Sequence, residues 1–174
     1  MIIENSAKTF TAPDTGTFLA TVVDVVDLGK VHTNFGDKVK IRIVWVLNAN
    51  DEEGLPYRVI LQCNASVNEK ARLYEVAKGI LGAPPPVPFD SETLVGRANQ
   101  LVVVRETDPK TGRTFANVKV ILPLPAGATP PPIPQGFVRA KDRPAFGQVL
   151  QSAAPQVATQ APPAQSGKTV DVEF

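Results

Sequence analysis

The 174-residue sequence predicts an all-β domain with one helix, followed by a tail without regular structure. Three observations predict this class. Five apolar-rich runs have the length and alternation of strands, one stretch repeats apolar residues at helical spacing, and the composition changes near residue 123. We therefore place a folded domain at residues 1–125, a disordered linker at 126–169 and a short tip at 170–174.

The predicted strands cover residues 17–28, 38–47, 57–64, 100–106 and 113–122. The second has the clearest pattern, because strand side chains alternate between the two faces of a sheet. Its apolar face needs a core and its other face is cationic: Val39, Ile41, Ile43 and Trp45 lie on the first, and Lys38, Lys40 and Arg42 on the second. Trp45 is therefore expected inside the domain.

A helix is predicted within SVNEKARLYEVAKGILG, residues 66–82, between the third and fourth strands. Ser66 followed by Glu69 has the spacing of a capping box, and Gly82 is a plausible helix terminator. Apolar residues at helical spacing predict one buried face, which consists of Val67, Ala71, Tyr74, Ala77 and Leu81.

Three strands, one helix and two strands are the element order of the OB-fold, a small, partly open five-stranded Greek-key barrel. We predict that fold for residues 1–125. A meander sheet with a helix packed on it has the same elements, and the sequence leaves this alternative open.

The linker prediction depends on proline. From Ala126 onward the chain holds eight of its 17 prolines, in runs such as TPPPIP and QAPPAQ. A Pro/Gln/Ala-rich segment of this kind buries too little apolar surface to offset the entropy lost on ordering, so we expect it to be disordered.

Charge and cysteine content limit the class of protein. The formal net charge is +1, so any polyanionic partner must be recognised by a local patch. The single cysteine, Cys63, cannot form an intramolecular disulfide, which fits a reducing cytoplasm, and its alternating apolar surroundings predict burial. No signal peptide or membrane-spanning run is predicted.

The sequence does not favour an enzyme. With one histidine and one cysteine there is no familiar pairing of nucleophile and base, and His32 has no partner for a metal site. GKT at 167–169 imitates the end of a P-loop, but Pro162 stands where its first glycine belongs. We expect no cofactor and no metal; a magnesium-dependent nuclease using Asp24 and Asp27 is a weak alternative.

Cations gather where an OB-fold binds its ligands, on strands two and three and on the loops joining strands one to two and four to five. The predicted first loop is GKVHTNFGD, residues 29–37, and the second is TDPKTG, residues 107–112. The candidate phosphate-binding residues are Lys30, Lys38, Lys40, Arg42, Lys110, Arg113 and Lys119. A solvated strand face on which lysines discourage edge pairing is the alternative for the second strand.

Aromatic rings beside these cations would suit a single-stranded nucleic acid, because cations track phosphates while rings stack on bases. Phe35, Tyr57 and Phe115 are the stacking candidates. Phe35 falls in a predicted loop tip with little core to join. Tyr57 and Phe115 begin predicted strands, so packing in the core is the alternative for both.

The chain ends in KTVDVEF, with Asp171, Val172, Glu173 and Phe174 as its last four residues. A terminal ring can enter an apolar pocket while the carboxylates meet basic residues, as in short recognition motifs. We predict a partner-binding tip; a solubilising tail is the alternative.

This layout resembles that of bacterial single-stranded DNA-binding proteins, although two acids stand here in place of a longer acidic run. The domain is more similar to a phage-encoded group of such proteins, on the motifs VVDLG (25–29), KVKIRIVWVL (38–47) and GRTFANVKVILPLP (112–125). The resemblance implies sequence-independent binding and protection of single-stranded DNA during phage replication or recombination, in the host cytoplasm, with replication or recombination proteins recruited by the tip. An OB-like protein-interaction adaptor and a virion component are the other candidates.

Overall fold

The computed structural model describes residues 11–143 of the chain. It contains five strands, β1 (Gly16–Thr33), β2 (Gly36–Asn50), β3 (Pro56–Asn64), β4 (Ala98–Thr107) and β5 (Thr114–Pro123), and one helix, α1 (Arg72–Leu81). Short 3-10 turns occur at Ser91–Leu94 and Ala140–Asp142. The predicted class, mostly β with one helix, is confirmed. No helix in this part of the chain is long and apolar enough to cross a membrane.

All five strands belong to one antiparallel sheet with the order β3-β2-β1-β4-β5. Within residues 11–143, β3 and β5 each pair with a single neighbour, so hydrogen bonds do not close the sheet. The two edge strands nevertheless contact each other, and α1 packs against β3, β4 and β5.

The core lies on the face of the sheet that the β2 alternation predicts. Ile41, Ile43, Trp45 and Leu47 are all buried there. Trp45 Nε1 donates a hydrogen bond of 3.1 Å to Oδ1 of the buried Asn99, which ties β2 to β4. Cys63 is buried as expected, and burial raises the pKa of its thiol, with the nearby Arg72 guanidinium opposing part of the shift.

The predicted start of the helix is wrong. Helix α1 begins at Arg72, and its N-cap residue Ala71 has no side-chain capping bond. Ser66 and Asn68 instead accept hydrogen bonds from backbone N–H groups two residues further on, which favours turns over a first helical turn. The predicted terminator is confirmed, since Gly82 is left-handed at φ 73° and its N–H binds the Lys78 carbonyl.

The buried face of α1 also differs from the prediction. Its buried residues are Leu73, Val76, Ala77 and Ile80, whereas Tyr74 remains partly exposed. Of the five residues predicted to form this face, Ala77 alone is fully buried, and Val67 and Leu81 pack at the margin of the core. Leu73, Val76, Ala77 and Ile80 have the i, i+3, i+4, i+7 spacing of an apolar helical stripe, so the buried face is regular but lies at a different phase from the predicted one.

The β1–β2 hairpin is longer than predicted. Residues 29–37, which the sequence assigns to a loop, continue both strands, and only Asn34 and Phe35 remain between Thr33 and Gly36. The register runs without a break from Gly29, paired with Lys40, to the end of β1. Asn34 and Phe35 therefore form the tip of a two-stranded arm.

The predicted domain boundary at residue 125 is also too early, because residues 129–142, here called the strap, pack on the sheet. Thr21 Oγ1 donates a 2.7 Å hydrogen bond to the carbonyl of Pro131. Val23 and Val46 are buried although neither belongs to the main core. The compact unit of the chain extends through Asp142. The remaining predicted linker, residues 144–169, and the tip lie outside the described residues.

Arg139 fixes the strap to the sheet. Its Nε donates to Asp24 on β1 at 3.0 Å, and its two terminal nitrogens donate to the two oxygens of Glu92 at 2.7 and 2.9 Å. The backbone N–H of Ala140 also donates to Asp24, at 2.7 Å. Because Asp24 is only 3% exposed, these bonds compensate a carboxylate taken out of water.

Gly79 on α1 provides a test of the packing between helix and sheet. A Cβ at this position would lie 2.9 Å from Ile121 Cβ and 3.0 Å from the Ile121 carbonyl oxygen. We expect Gly79→Ala to lower the free energy of unfolding by about 1–3 kcal/mol, although alanine is the better helix former. Urea unfolding measures this change. Lys78→Ala, at an exposed neighbour, is the control, and equal stability of the two variants would contradict the close contact.

Glu92 provides a pH-dependent test of the strap. Hydrogen bonds from Arg139 and then Lys141 lower the pKa of Glu92 from 4.5 to about 2. Since the folded-state pKa is depressed, the stabilisation should be complete above about pH 4.5 and be lost as the pH falls through about 2. Urea unfolding at several pH values measures this. The free energy of unfolding of the wild type minus that of Glu92→Gln should be constant above about pH 4.5 and should fall toward zero as the pH approaches about 2. A difference that stays constant down to pH 2, or an equal one for Glu52→Gln, would contradict it.

Candidate nucleic-acid interface

The outer face of β2, opposite the core, carries the cationic row. Lys38, Lys40 and Arg42 alternate with Val39 and the buried Ile41, so their side chains share the solvent side of the sheet. The strand rises about 3.3 Å per residue, which places neighbouring cations of the row roughly 7 Å apart. None of the three forms a salt bridge within residues 11–143.

Amide side chains on β3 extend this face. Arg42 pairs with Gln62 and Lys40 with Asn64 across the two strands, and directly opposed residues of antiparallel strands share a face. With the Gln62 amide oriented to satisfy its hydrogen bonds, Oε1 accepts from Arg42 Nη2 at 2.9 Å and Nε at 3.1 Å. The guanidinium is thus oriented by a neutral partner and keeps its charge available.

Phe35 lies at the tip of the same hairpin and is 89% exposed. The Thr33 hydroxyl donates to the Gly36 carbonyl at 2.7 Å and accepts from the Phe35 N–H at 3.3 Å. These bonds fix the turn while leaving the ring in solvent. The tip therefore presents an aromatic face at the end of the cationic row.

Lys30 and His32 lie on the other face of the hairpin. Lys30 pairs with Val39 and His32 with Asp37, so they share the side of the sheet opposite Lys38. His32 Nδ1 lies 2.8 Å from Asp37 Oδ1. Asp37, the one acid of the arm, is therefore bound on the face opposite the cationic row. Lys30 is consequently not part of that row, contrary to its grouping by sequence.

Tyr57 does not lie on the outer face. It shares the alternation of Val59, Leu61 and Cys63, and it packs partly buried against the core. Of the two possibilities that the sequence leaves open for Tyr57, the structure therefore shows packing.

The β4–β5 loop is less cationic than its sequence suggests. Asp108 accepts hydrogen bonds from the Lys110 N–H and the Thr111 hydroxyl, both at 2.8 Å, and these bonds lower the pKa of its carboxyl group. A carboxylate therefore lies beside Lys110 inside the loop. Arg113 is exposed at the end of the same loop.

Phe115 and Lys119 lie on β5 around Glu106 of β4. Lys119 Nζ is 2.6 Å from Glu106 Oε1, and Asn117 donates to the other oxygen at 3.4 Å. The Lys119 and Asn117 hydrogen bonds lower the pKa of Glu106. Phe115, paired with Glu106, is 45% exposed. The charge of Lys119 is thus matched, and β5 is separated from β2 by two strands in the sheet order.

The structure thus brings together part of the predicted set. Lys38, Lys40, Arg42 and Phe35 belong to one arm, whereas Lys30 and Tyr57 lie on the opposite face of the sheet. Phe115 and Lys119 lie on β5, which β1 and β4 separate from β2 in the sheet order. Gln62 and Asn64 were not among the sequence candidates. Their alternation with the apolar Leu61 and Cys63 in β3 would have placed them on the solvent face of the sheet. The predicted tip residues, Asp171–Phe174, lie outside the described residues.

Comparison with protein-family models and with curated protein sequences finds no match for this chain. Within residues 11–143, no cluster of three or more His, Cys, Asp or Glu side chains could hold a metal ion.

The two aromatic environments predict different effects on stability. Phe35→Ala should change the unfolding free energy by less than about 0.5 kcal/mol, because the ring contributes little packing. Tyr57→Ala should lower it by about 1–3 kcal/mol, because that ring packs against the core. Thermal unfolding compares them, and a large loss for Phe35→Ala would mean that the tip is packed in solution.

Proposed function

We propose that the domain binds single-stranded DNA without sequence preference, through the outer face of β2 and the tip of the β1–β2 hairpin. The observation that carries the proposal is the row of three cations, Lys38, Lys40 and Arg42, on one sheet face, none of which is salt-bridged to an acid among residues 11–143. Unpaired cations at strand spacing suit a flexible polyanion whose phosphates can adjust to them.

Phe35 supplies the second element of such a site. Each nucleobase has a π-face, so stacking on an exposed ring contributes about 1–3 kcal/mol per base whatever the sequence. The Thr33 turn holds the backbone of the tip, so little backbone freedom remains to be lost on binding. Cations followed by an exposed ring support single-stranded rather than duplex DNA, because the base faces of a duplex are already stacked on one another.

We infer that the sheet is a partly open OB-type barrel. The element order, the contact between β3 and β5, and the helix packed against both edge strands support this assignment. In such a barrel, strands two and three form the usual binding surface, which is where the free cations lie.

The tail and the biological setting complete the proposal. Asp171, Glu173 and Phe174 would bind a replication or recombination protein, on the logic of a terminal carboxylate motif. Lys110 and Arg113 remain candidate secondary phosphate contacts. A phage-encoded protein of DNA replication or recombination, acting in the host cytoplasm, is the setting that the sequence motifs support.

Salt-dependent binding tests the proposal. Full-length protein is titrated against labelled oligo-dT, a mixed-sequence single strand and the matching duplex, with fluorescence anisotropy as the readout. We expect both single strands to bind alike and the duplex more weakly. For single strands the slope of log affinity against log salt is about −0.7 per phosphate neutralised.

The Lys40→Ala/Arg42→Ala variant should weaken binding to both single strands equally and reduce that slope in magnitude by about 1.4. The control, Lys70→Ala/Lys78→Ala, removes two exposed cations near or on α1 and should leave both quantities unchanged. Equal effects of the two variants, or a wild-type affinity for duplex equal to that for single strands, would contradict the proposal. Absence of any DNA binding would favour a protein-interaction adaptor or a virion component.

A further inference from the structure

Arg58 on β3 is a cation of the outer face that lies beside the strap. It pairs with Val46 of β2, and Val46 shares the outer face with Arg42, four residues away. Arg58 is exposed and forms no salt bridge within the described part of the chain. The free cations of this face therefore extend beyond the row on β2.

Phe137 of the strap holds the Arg58 side chain. The Arg58 guanidinium carbon lies 5.3 Å from the centroid of the Phe137 ring, a cation–π arrangement. Such stacking orients a guanidinium without neutralising its charge, so its N–H groups stay available for an anion. Phe137 is itself fixed, because Arg139 two residues later is bound to Asp24 and Glu92.

The rows of the outer face place the strap at one end of the cationic surface. In order, the cross-strand rows are Thr21–Val46–Arg58, then Asp24–Val44–Ile60, then Val26–Arg42–Gln62. The strap contacts Thr21, Asp24 and Arg58. It thus covers the first row and the β1 side of the second, and it leaves the third row and the lysines beyond it open.

We propose that the strap is part of the nucleic-acid site: it ends the open face and positions Arg58 as a further phosphate contact, with Phe137 as the positioning residue. This inference rests on the proposed single-stranded DNA binding. The bound strand would run from the hairpin tip along Lys38, Lys40 and Arg42, and would reach Arg58 at the edge of the strap. The partly exposed Val44 and Ile60 lie between these cations and offer apolar contact to a base.

The experiment titrates the full-length protein and its variants with labelled oligo-dT over a range of salt concentrations. Arg58→Ala should weaken binding severalfold and reduce the magnitude of the salt slope by about 0.7, as expected for one phosphate contact. Arg58→Lys keeps the charge and should keep the slope. Lys78→Ala, which removes one charge from α1, is the control and should change neither quantity.

Phe137→Leu keeps an apolar side chain on the strap but removes the aromatic face. It should weaken binding in the same direction as Arg58→Ala and to a smaller extent, and combining it with Arg58→Ala should add nothing. If Phe137 only supported the fold, Phe137→Leu would weaken oligo-dT binding by the same factor in the Arg58→Ala background as in the wild type. Thermal unfolding of each variant identifies any loss of fold.

The outcomes separate this inference from the proposed function. If Arg58→Ala binds like the wild type while Lys40→Ala/Arg42→Ala is weakened, the strap inference is overturned and the β2 interface stands. If Arg58→Ala is weakened but Phe137→Leu is not, the positioning role of Phe137 is overturned. If the wild type does not bind oligo-dT, both the inference and the proposed function fail.

Discussion

The two-residue period of β2 is the constraint on which the fold and the candidate interface both depend. Ile41, Ile43 and Trp45 enter the core on one side of the strand, and each buried side chain of this size stabilises the fold by about 1.5–3 kcal/mol. A register slip of one residue would turn Lys40 and Arg42 toward the core, where an unpaired charge is strongly unfavourable. The apolar packing therefore also holds the cations in solvent, and the candidate interface requires no separate scaffold.

A second constraint acts from the other end of the sheet. Asp24 is buried on a face that would otherwise be solvated, and its partner Arg139 lies 115 residues further along the chain. Buried charges are costly unless hydrogen bonds satisfy them, and here the carboxylate receives one bond from a guanidinium and one from a backbone N–H. This requirement selects one position for a proline-rich segment that has little regular structure of its own. The extent of the open cationic face follows from that position.

The sequence predicts those parts of the fold that local patterns determine. Alternation along β2 and β3 is a property of neighbouring residues, and it correctly predicts the strands, the burial of Trp45 and the placement of the cations on the solvent side of β2. The length of the hairpin could not be predicted in this way, since it depends on pairs such as His32 with Asp37 that exist only once the register is set. Counting charges along the sequence overestimated the free positive charge on β5 for the same reason. Glu106 is 13 residues from Lys119 in sequence but is salt-bridged to it across the β4–β5 pair. Composition, in turn, averages over the strap and hides the single arginine that anchors it.

The anchoring of the strap determines which piece of the chain can be produced as a folded unit. A fragment ending at residue 125, where composition alone places the boundary, would retain Asp24 without Arg139 and Thr21 without its bond to the Pro131 carbonyl. A buried ion pair that loses one partner typically costs about 3–5 kcal/mol, a large share of the stability of a small domain. The shortest fragment expected to keep the native sheet therefore extends through Asp142, and a chain cut at residue 125 would be less stable and would carry a buried carboxylate without its arginine.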